Sequence, residues 1–266
     1  MADLNLEQIL ANISDEATRN KVSDLLESVK PGTDGLVGLE SSRLKIPTLK
    51  IVQPMSLTKA DCPEGARVGQ LYIPGINLGN SLEIIPVFAY NSRTMFVAGE
   101  QNGRIECSSV DSVNGSVYGK CSECRHLPWR NDTKQLCMDN INVFALTADM
   151  SRFIRVIFAK TSESSGKFLL RQAARGRRVW DTKFTLATES KSSNGKSWLQ
   201  FKVSVSAGAP STEVHTAASA FNKLVSDDYT ALKDWNANKL LAVEEPRGAK
   251  EIAVDTTDDT DNNFPF

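Results

Sequence analysis

Short segments with alternating or continuous apolar residues occupy most of the chain between residues 44 and 206. A period of two is typical of β-strands whose two faces differ in burial. Ser190–Gly195 joins the last two segments, and its Asn-Gly pair favours a hairpin turn. Short antiparallel strands favour a small barrel or sandwich over a parallel sheet. The predicted strands are Leu44–Val52, Val68–Ile73, Leu82–Ala89, Thr94–Ala98, Ile141–Leu146, Phe153–Lys160, Lys167–Gln172, Val179–Glu189 and Lys196–Ser206.

Helical spacing occurs towards the two ends of the chain. Leu4–Val29 predicts one or two amphipathic helices, which Pro31–Gly35 ends, and Ser211–Asn238 predicts a longer helix. The predicted organisation is a helical segment with a linker at 1–35, a main domain at 36–243 and an acidic tail at 244–266. Within the main domain we expect a cysteine-rich insertion at 103–140 and the C-terminal helix at 211–238.

Composition excludes several classes of protein. The chain has 266 residues, of which 41% are hydrophobic, enough for one large domain or two small ones. Its longest apolar stretches are much shorter than a bilayer span, and the first residues lack the pattern of a signal peptide. We therefore expect a cytoplasmic protein with no membrane partner.

The net charge of -1 hides a basic region. Between Arg152 and Lys202, twelve bases stand against three acids, a balance typical of proteins that bind polyanions. We predict a DNA-binding surface formed by these bases: Arg152, Arg155, Lys160, Lys167, Arg171, Arg175, Arg177, Arg178, Lys183, Lys191, Lys196 and Lys202.

Aromatic residues recur among these bases, as in proteins that stack unpaired bases on rings while cations follow the phosphates. Alternation places Trp198 on one face with Lys196 and Lys202, which makes it the best stacking candidate. The same argument predicts that Phe184 is core and that Trp180 lies at the rim of the core, where it is a further candidate for DNA binding. Any strand aromatic is more often core than stacking platform. The glycine of Arg175–Arg178 allows close approach to a phosphate.

Four cysteines cluster in the predicted insertion: Cys107, Cys121, Cys124 and Cys137. The Cys-Ser-Glu-Cys spacing at 121–124 is typical of a zinc knuckle, and four thiolates would form a closed, structural zinc site. The alternative is four reduced cysteines packed as small hydrophobic side chains. His126 is an alternative ligand, whereas Cys62 is expected to be an ordinary thiol.

The chain ends in a segment that combines acidic residues with aromatic ones. An acidic run stays solvated, and exposed aromatic residues there suit binding to a partner's pocket. The alternative is an acidic terminus that is simply frayed. The predicted partner-binding residues are Asp258, Asp259, Asp261, Phe264, Pro265 and Phe266.

No group of residues in the sequence resembles a catalytic motif. His126 and His215 are the only histidines, no phosphate loop is present, and Asp139, Asp149 and Asp181 are scattered. We therefore expect a protein that is not an enzyme. A zinc-ribbon transcription factor or coactivator that contacts RNA polymerase is the main alternative to a single-strand binder, and a nuclease or recombination enzyme is less favoured.

Together these features resemble the phage-encoded single-stranded DNA-binding proteins. The ending Asp-Asn-Asn-Phe-Pro-Phe is similar to the Asp-Asp-Asp-Ile-Pro-Phe terminus of bacterial single-stranded DNA-binding proteins. The resemblance implies a mainly β fold with flanking helices: an OB-like antiparallel barrel with a zinc-ribbon-like insertion. It also implies coating of single-stranded DNA during replication, recombination and repair in the cytoplasm of an infected host. The tail would recruit replication or recombination proteins or RNA polymerase, and a homo-oligomer is compatible with this function.

Overall fold

A curled main sheet organises the chain, with two helices packed on its outer side and one against its inner cluster. The computed structural model describes residues 10–11, 13–29, 46–97, 105–124, 126, 137–193 and 195–241, with the backbone alone for 196 and 231–241. The helices are α1 (Glu16–Val29), α2 (Glu163–Ala173) and α3 (Thr212–Leu241). The strands are β1 (Thr48–Ile51), β2 (Leu71–Ile73), β3 (Ile76–Gly79), β4 (Ser81–Phe96), β5 (Ile105–Ser109), β6 (Asn114–Gly115), β7 (Gly119–Lys120), β8 (Cys137–Thr147), β9 (Phe153–Ala159), β10 (Phe184–Ser193) and β11 (Lys196–Val205).

Nine of these strands form the main sheet. Eight of them follow the order β11-β10-β4-β8-β9-β1-β2-β3, and the ninth, β5, pairs with the end of β4. Neighbouring strands are antiparallel except for the parallel pair β1 and β9. The short strands β6 and β7 form a separate ribbon. The prediction of a mainly β fold with flanking helices is therefore confirmed.

The sheet curls until its edge strand β11 meets the segment that follows β1. Gln53 Nε2 donates a hydrogen bond to the carbonyl of Leu199 at 2.8 Å, and the Leu199 N–H donates to Gln53 Oε1 at 3.4 Å. Two residues further along, the Phe201 N–H donates to Ser162 Oγ at 3.1 Å, and Ser165 Oγ donates to the Phe201 carbonyl at 2.6 Å. Side chains therefore close this half-barrel where a strand pair is missing.

The sheet buries apolar residues on both faces. A register shift between Pro86 and Phe88 in β4 marks an irregularity in its pairing with β8. The inner cluster includes Leu49, Ile84, Val143, Ile154, Phe158, Phe184 and Phe201. The outer cluster joins strands to α1 and α3 and includes Val22, Leu26, Val87, Phe144, Phe153, Ala217 and Phe221.

Two predicted strands are wrong in part or whole. Lys167–Gln172 belongs to helix α2, whose buried residues Gly166, Leu169 and Ala173 follow helical spacing. The apolar run between the basic residues of this segment is short. A run of this length fits a helix as well as a strand. The predicted strand Val179–Glu189 begins only at Phe184, because Val179–Asp181 forms a 3₁₀ turn.

Some of the remaining predictions concern described residues, and others concern residues outside the described part of the chain. The helix predicted at Ser211–Asn238 corresponds to α3, and that at Leu4–Val29 is confirmed over Glu16–Val29. Residues 1–9, most of the linker and the acidic tail at 244–266 lie outside the described residues. Among the described helices, none has the length and apolar character needed to cross a bilayer.

Helix α2 packs on β9 through a glycine. A Cβ added at Gly166 would lie 2.7 Å from Phe158 Cβ, so a larger side chain must displace the sheet or the helix. We expect Gly166→Val to lower the free energy of unfolding by about 1–3 kcal/mol through overpacking. Urea denaturation measures this change. Ser164→Val, at an exposed position of the same helix, is the matched control, and equal stability of the two variants would contradict the packing argument.

Candidate nucleic-acid interface and cysteine cluster

The outer face of the β10–β11 hairpin carries a tryptophan among basic side chains. Lys191 lies directly across from Trp198 in the strand register, and Glu189 lies across from Gln200. Opposed residues of antiparallel strands share a face, and so do alternate residues of one strand. Trp198, Lys191, Gln200 and Lys202 therefore share the outer face, as the alternation predicted for Trp198 and Lys202.

Hydrogen bonds hold the tryptophan in place. The indole Nε1 of Trp198 donates to Gln200 Oε1 at 3.5 Å, and Gln200 Nε2 donates to Glu189 Oε1 at 2.8 Å. Lys191 Nζ lies 3.4 Å from the same carboxylate. The hydrogen bond from Gln200, with help from Lys191, holds the pKa of Glu189 below its usual range. The ring is half-buried, Lys191 and Lys202 are exposed, and the predicted core residue Phe184 is fully buried.

The basic turn Arg175–Arg178 is folded around one aspartate. The Arg178 N–H donates to Asp181 Oδ2 at 2.9 Å, and Arg178 Nε donates to Asp181 Oδ1 at 3.2 Å. Burial alone would raise the pKa of Asp181, but these contacts outweigh it and lower the pKa. A Cβ at Gly176 would lie 3.1 Å from both the Arg178 carbonyl and Asp181 Cβ, so a larger residue would crowd the turn.

The arginines of this turn consequently differ in availability. Arg178 Nη2 lies 3.1 Å from His215 Nδ1 on α3, and its Cζ lies 5.8 Å from the centroid of Trp180. Arg175 and Arg177 are exposed and form no ion pair with another described residue. Trp180 lies in the 3₁₀ turn, where it packs against the outer cluster.

Several other predicted DNA-binding residues have partners within the protein. Lys167 pairs with Glu163 at 2.5 Å, Lys183 pairs with Glu83 at 3.1 Å, and Arg155 Nη2 donates to Thr48 Oγ1 at 2.9 Å. Arg152 lines a cavity beside α1, far along the chain from the hairpin. Lys160 and Arg171 are exposed, and the side chain of Lys196 lies outside the described part of the structure.

A cavity of about 350 Å³ adjoins the basic turn. Phe88 and Tyr90 of β4 line it together with Asn222 of α3, whose amide nitrogen donates to the Val87 carbonyl at 2.8 Å. Ala174 and Val179, which flank the turn in sequence, line the opposite side. The cavity with the two aromatic rings therefore adjoins both ends of the basic turn.

The four clustered cysteines line one small cavity of about 20 Å³. Cys107 and Cys137 lie on either side of Met95, because both are paired with it in the sheet. Cys121 begins a 3₁₀ turn and Cys124 follows it. Burial, followed by the charges of neighbouring thiols, raises the pKa of Cys137 to about 11. Cys62 lies outside this cavity, and as placed no three Cys, His, Asp or Glu side chains among the described residues form a metal-binding group.

Comparison with known proteins identifies the family. Residues 15–231 match the model of a family described as Pam3 phage gp34-like protein. The chain belongs to this family. The match covers more than half of the chain and includes every strand from β1 to β11. Neither the curated proteins nor the solved structures contain a match. Membership supports the expected phage origin, and the family description states no activity.

In this member of the gp34-like family, sequence reasoning missed a layer of aromatic rings between the sheet and α3. Tyr229 lies 4.7 Å from Tyr90 and 5.5 Å from Phe88, and Phe221 lies 4.5 Å from Phe153, measured between ring centroids. Burial raises the pKa of Tyr90. Only the helical spacing of Phe221, Val225 and Tyr229 in the sequence could have indicated that α3 covers a sheet.

The predicted partner-binding residues of the tail belong to the segment that lies outside the described residues. They are Asp258, Asp259, Asp261, Phe264, Pro265 and Phe266. Their role is a prediction from the sequence.

Proposed function

We propose that this phage protein binds single-stranded DNA with little sequence preference and protects it during replication, recombination and repair. The observation that carries the proposal is the half-exposed Trp198 on the outer face of a hairpin, with Lys191 directly across from it and Lys202 further along the same face. An aromatic platform can stack any base, and stacking contributes about 1–3 kcal/mol per base. Neighbouring cations bind phosphates and release counterions.

The strand order supports an OB-like barrel as the scaffold. An OB fold is a five-stranded, partly open barrel that binds oligonucleotides on strands 2–3 and on its 1–2 and 4–5 loops. Here β4, β8, β9, β10 and β11 follow each other as those five strands would, and α2 lies between the third and fourth. Strand β1 fills the place between β9 and β11. On this assignment strands 2–3 are β8 and β9, whose outer side α1 and α3 cover, so DNA would contact β11 and the loops instead. The cysteine lobe, which consists of β5, the ribbon β6–β7 and the 3₁₀ turn at Cys121–Glu123, is the 1–2 loop. The turn at Gly195 between β10 and β11, next to Trp198, is the 4–5 loop.

The basic turn offers a second point of contact for the same strand. Arg175 and Arg177 are exposed, and the neighbouring cavity presents Phe88 and Tyr90. A phosphate on the arginines would place an adjacent base near these rings. Arg178 has a positioning role in this proposal, because Asp181 and His215 hold its side chain.

The acidic tail completes the proposal. Asp258, Asp259 and Asp261 would compete with DNA for the basic surface, and Phe264, Pro265 and Phe266 would recruit a replication or recombination protein or RNA polymerase. The opposite charges of the tail and of the region Arg152–Lys202 support this competition.

A coactivator that acts through the cysteine lobe is the second candidate function. Val113 and Val117 in that lobe are each 58% exposed, which suits contact with another protein. This candidate predicts binding to RNA polymerase, and preference for duplex over single-stranded DNA if the lobe reads a promoter.

Replacement of the tryptophan tests the main proposal. We expect Trp198→Ala to weaken binding of fluorescein-labelled poly-dT by about 5- to 150-fold, which corresponds to one stacked base. Lys202→Gln should reduce the slope of log K against log salt by about 0.7. Fluorescence anisotropy with poly-dT, a duplex and RNA over a salt series measures both effects. Val205→Ala, at an exposed position on the same strand, is the control, and duplex binding equal to or tighter than poly-dT binding would overturn the proposal.

Removal of residues 251–266 tests the competition by the tail. The deleted segment contains five acids and no base, so its loss should tighten poly-dT binding at low salt and have little effect at high salt. A chain with Phe264→Ala and Phe266→Ala keeps every acid and should bind DNA like the parent chain. Unchanged affinity after deletion at low salt would show that the tail does not shield the basic surface.

A further inference from the structure

The four clustered cysteines lie in the cysteine lobe at the end of β4. This lobe contains β5, the ribbon β6–β7 and the 3₁₀ turn at Cys121–Glu123. Its apolar residues Ile105, Val113 and Val117 are between 56% and 58% exposed, so they contribute little to a core. A small lobe without a hydrophobic core usually depends on disulfides or a metal ion.

Three separate parts of the lobe converge on one point. Cys107 comes from β5, Cys121 and Cys124 come from the 3₁₀ turn, and Cys137 comes from the first residue of β8. All four line the same cavity, whose volume of about 20 Å³ suits one water molecule or one small ion. A cluster of several iron and sulfide ions requires more space than this.

The backbone is shaped to approach the sulfur atoms closely. A Cβ added at Gly115 would lie 3.0 Å from Cys107 Sγ and 3.9 Å from Cys121 Sγ. Ser116 Oγ donates to Cys107 Sγ at 4.0 Å. Glycine at this position lets the ribbon cover the thiols, and hydrogen bonds to sulfur favour the thiolate form that binds metals.

A half-buried cation borders the cavity. Arg93 of β4 lines the cavity, hydrogen bonds with Cys121, and donates from Nε to Asp139 Oδ1 at 2.6 Å. A zinc ion with four thiolates carries a net charge of -2, which a neighbouring guanidinium offsets. Arg93 would therefore position Cys121 and stabilise the charge of the loaded site.

We propose that Cys107, Cys121, Cys124 and Cys137 bind one structural zinc ion, with Arg93 as a positioning residue. Zinc–sulfur distances are about 2.3 Å. Cys107 and Cys137 lie two strand spacings apart across Met95, about 10 Å between Cα atoms in a flat sheet. Binding of one ion would require these two thiols to move towards each other over Met95, and all four thiols would release their protons to solvent as their sulfurs bond to the ion.

Metal analysis of the full-length protein tests the site. We expect about one zinc per chain after purification under reducing conditions with zinc in the medium. Cys121→Ser and Cys124→Ser should lose most of it, whereas Cys62→Ser, which lies outside the cavity, should retain it. Fewer than about 0.1 zinc per chain in the parent protein, or equal zinc in Cys62→Ser and Cys121→Ser, would overturn the proposal.

Cobalt substitution keeps the test valid if a cysteine variant does not fold. Removal of zinc from the parent protein by a chelator and addition of Co²⁺ should produce the visible absorption of a tetrahedral cobalt–thiolate site. Arg93→Gln should weaken zinc binding by about 10- to 100-fold in chelator competition, and Arg67→Gln, an exposed control, should not. The absence of thiolate absorption at stoichiometric cobalt would refute the site. Neither result depends on DNA binding.

Discussion

The structure depends on how the free edge of β11 is satisfied. An edge strand exposes unpaired N–H and C=O groups, which are costly when buried and invite aggregation when exposed. Here Gln53 binds both backbone groups of Leu199, and Ser162 and Ser165 bind those of Phe201. These contacts fix which face of β11 points into the barrel. Phe201 lies on that inner face, and Trp198 lies on the outer face. The proposed binding platform is therefore a consequence of how the barrel closes.

The distribution of helices decides which outer surfaces remain available. Helices α1 and α3 cover the outer side of β4, β8 and β9, where the outer cluster buries Phe144, Phe153 and Phe221. Among the described elements, no helix covers the outer face of β10 and β11 around Trp198. That face carries Lys191, Lys202 and a half-buried indole. The face that the protein's own packing leaves open therefore combines cations with an aromatic ring, as the proposed function requires.

Local patterns predicted most strands of the main sheet but not the assembly of the site. Alternation predicted correctly that Phe184 is buried and that Trp198 and Lys202 share a face, because both follow from a period of two. It failed for Lys167–Gln172, a helix whose apolar run is too short for periodicity to separate it from a strand. The ion pairs of Lys167 and Lys183 were also not predicted. Lys183–Glu83 joins residues far apart in sequence, whereas Lys167–Glu163 has helical spacing that the strand assignment concealed.

The cysteines show the same limit in another form. Their spacing predicted that they would cluster, and they do line one cavity, but it could not place Met95 between Cys107 and Cys137. Pairing in the sheet brings these two residues to the same neighbour and also holds them apart. The sequence could therefore indicate the ligands, whereas the movement needed to bind an ion follows only from the register.

Strand β4 connects the two proposed sites and also separates them. Its first residues pair with β10 near the DNA-binding hairpin, and its last residues pair with β5 and β8 in the cysteine lobe. At about 3.3 Å per residue, its 16 residues span roughly 50 Å. An ion in the lobe is therefore too far from Trp198 to act on a stacked base directly. The irregular pairing of β4 with β8 near Phe88 lies between the two proposed sites and adjoins the aromatic cavity.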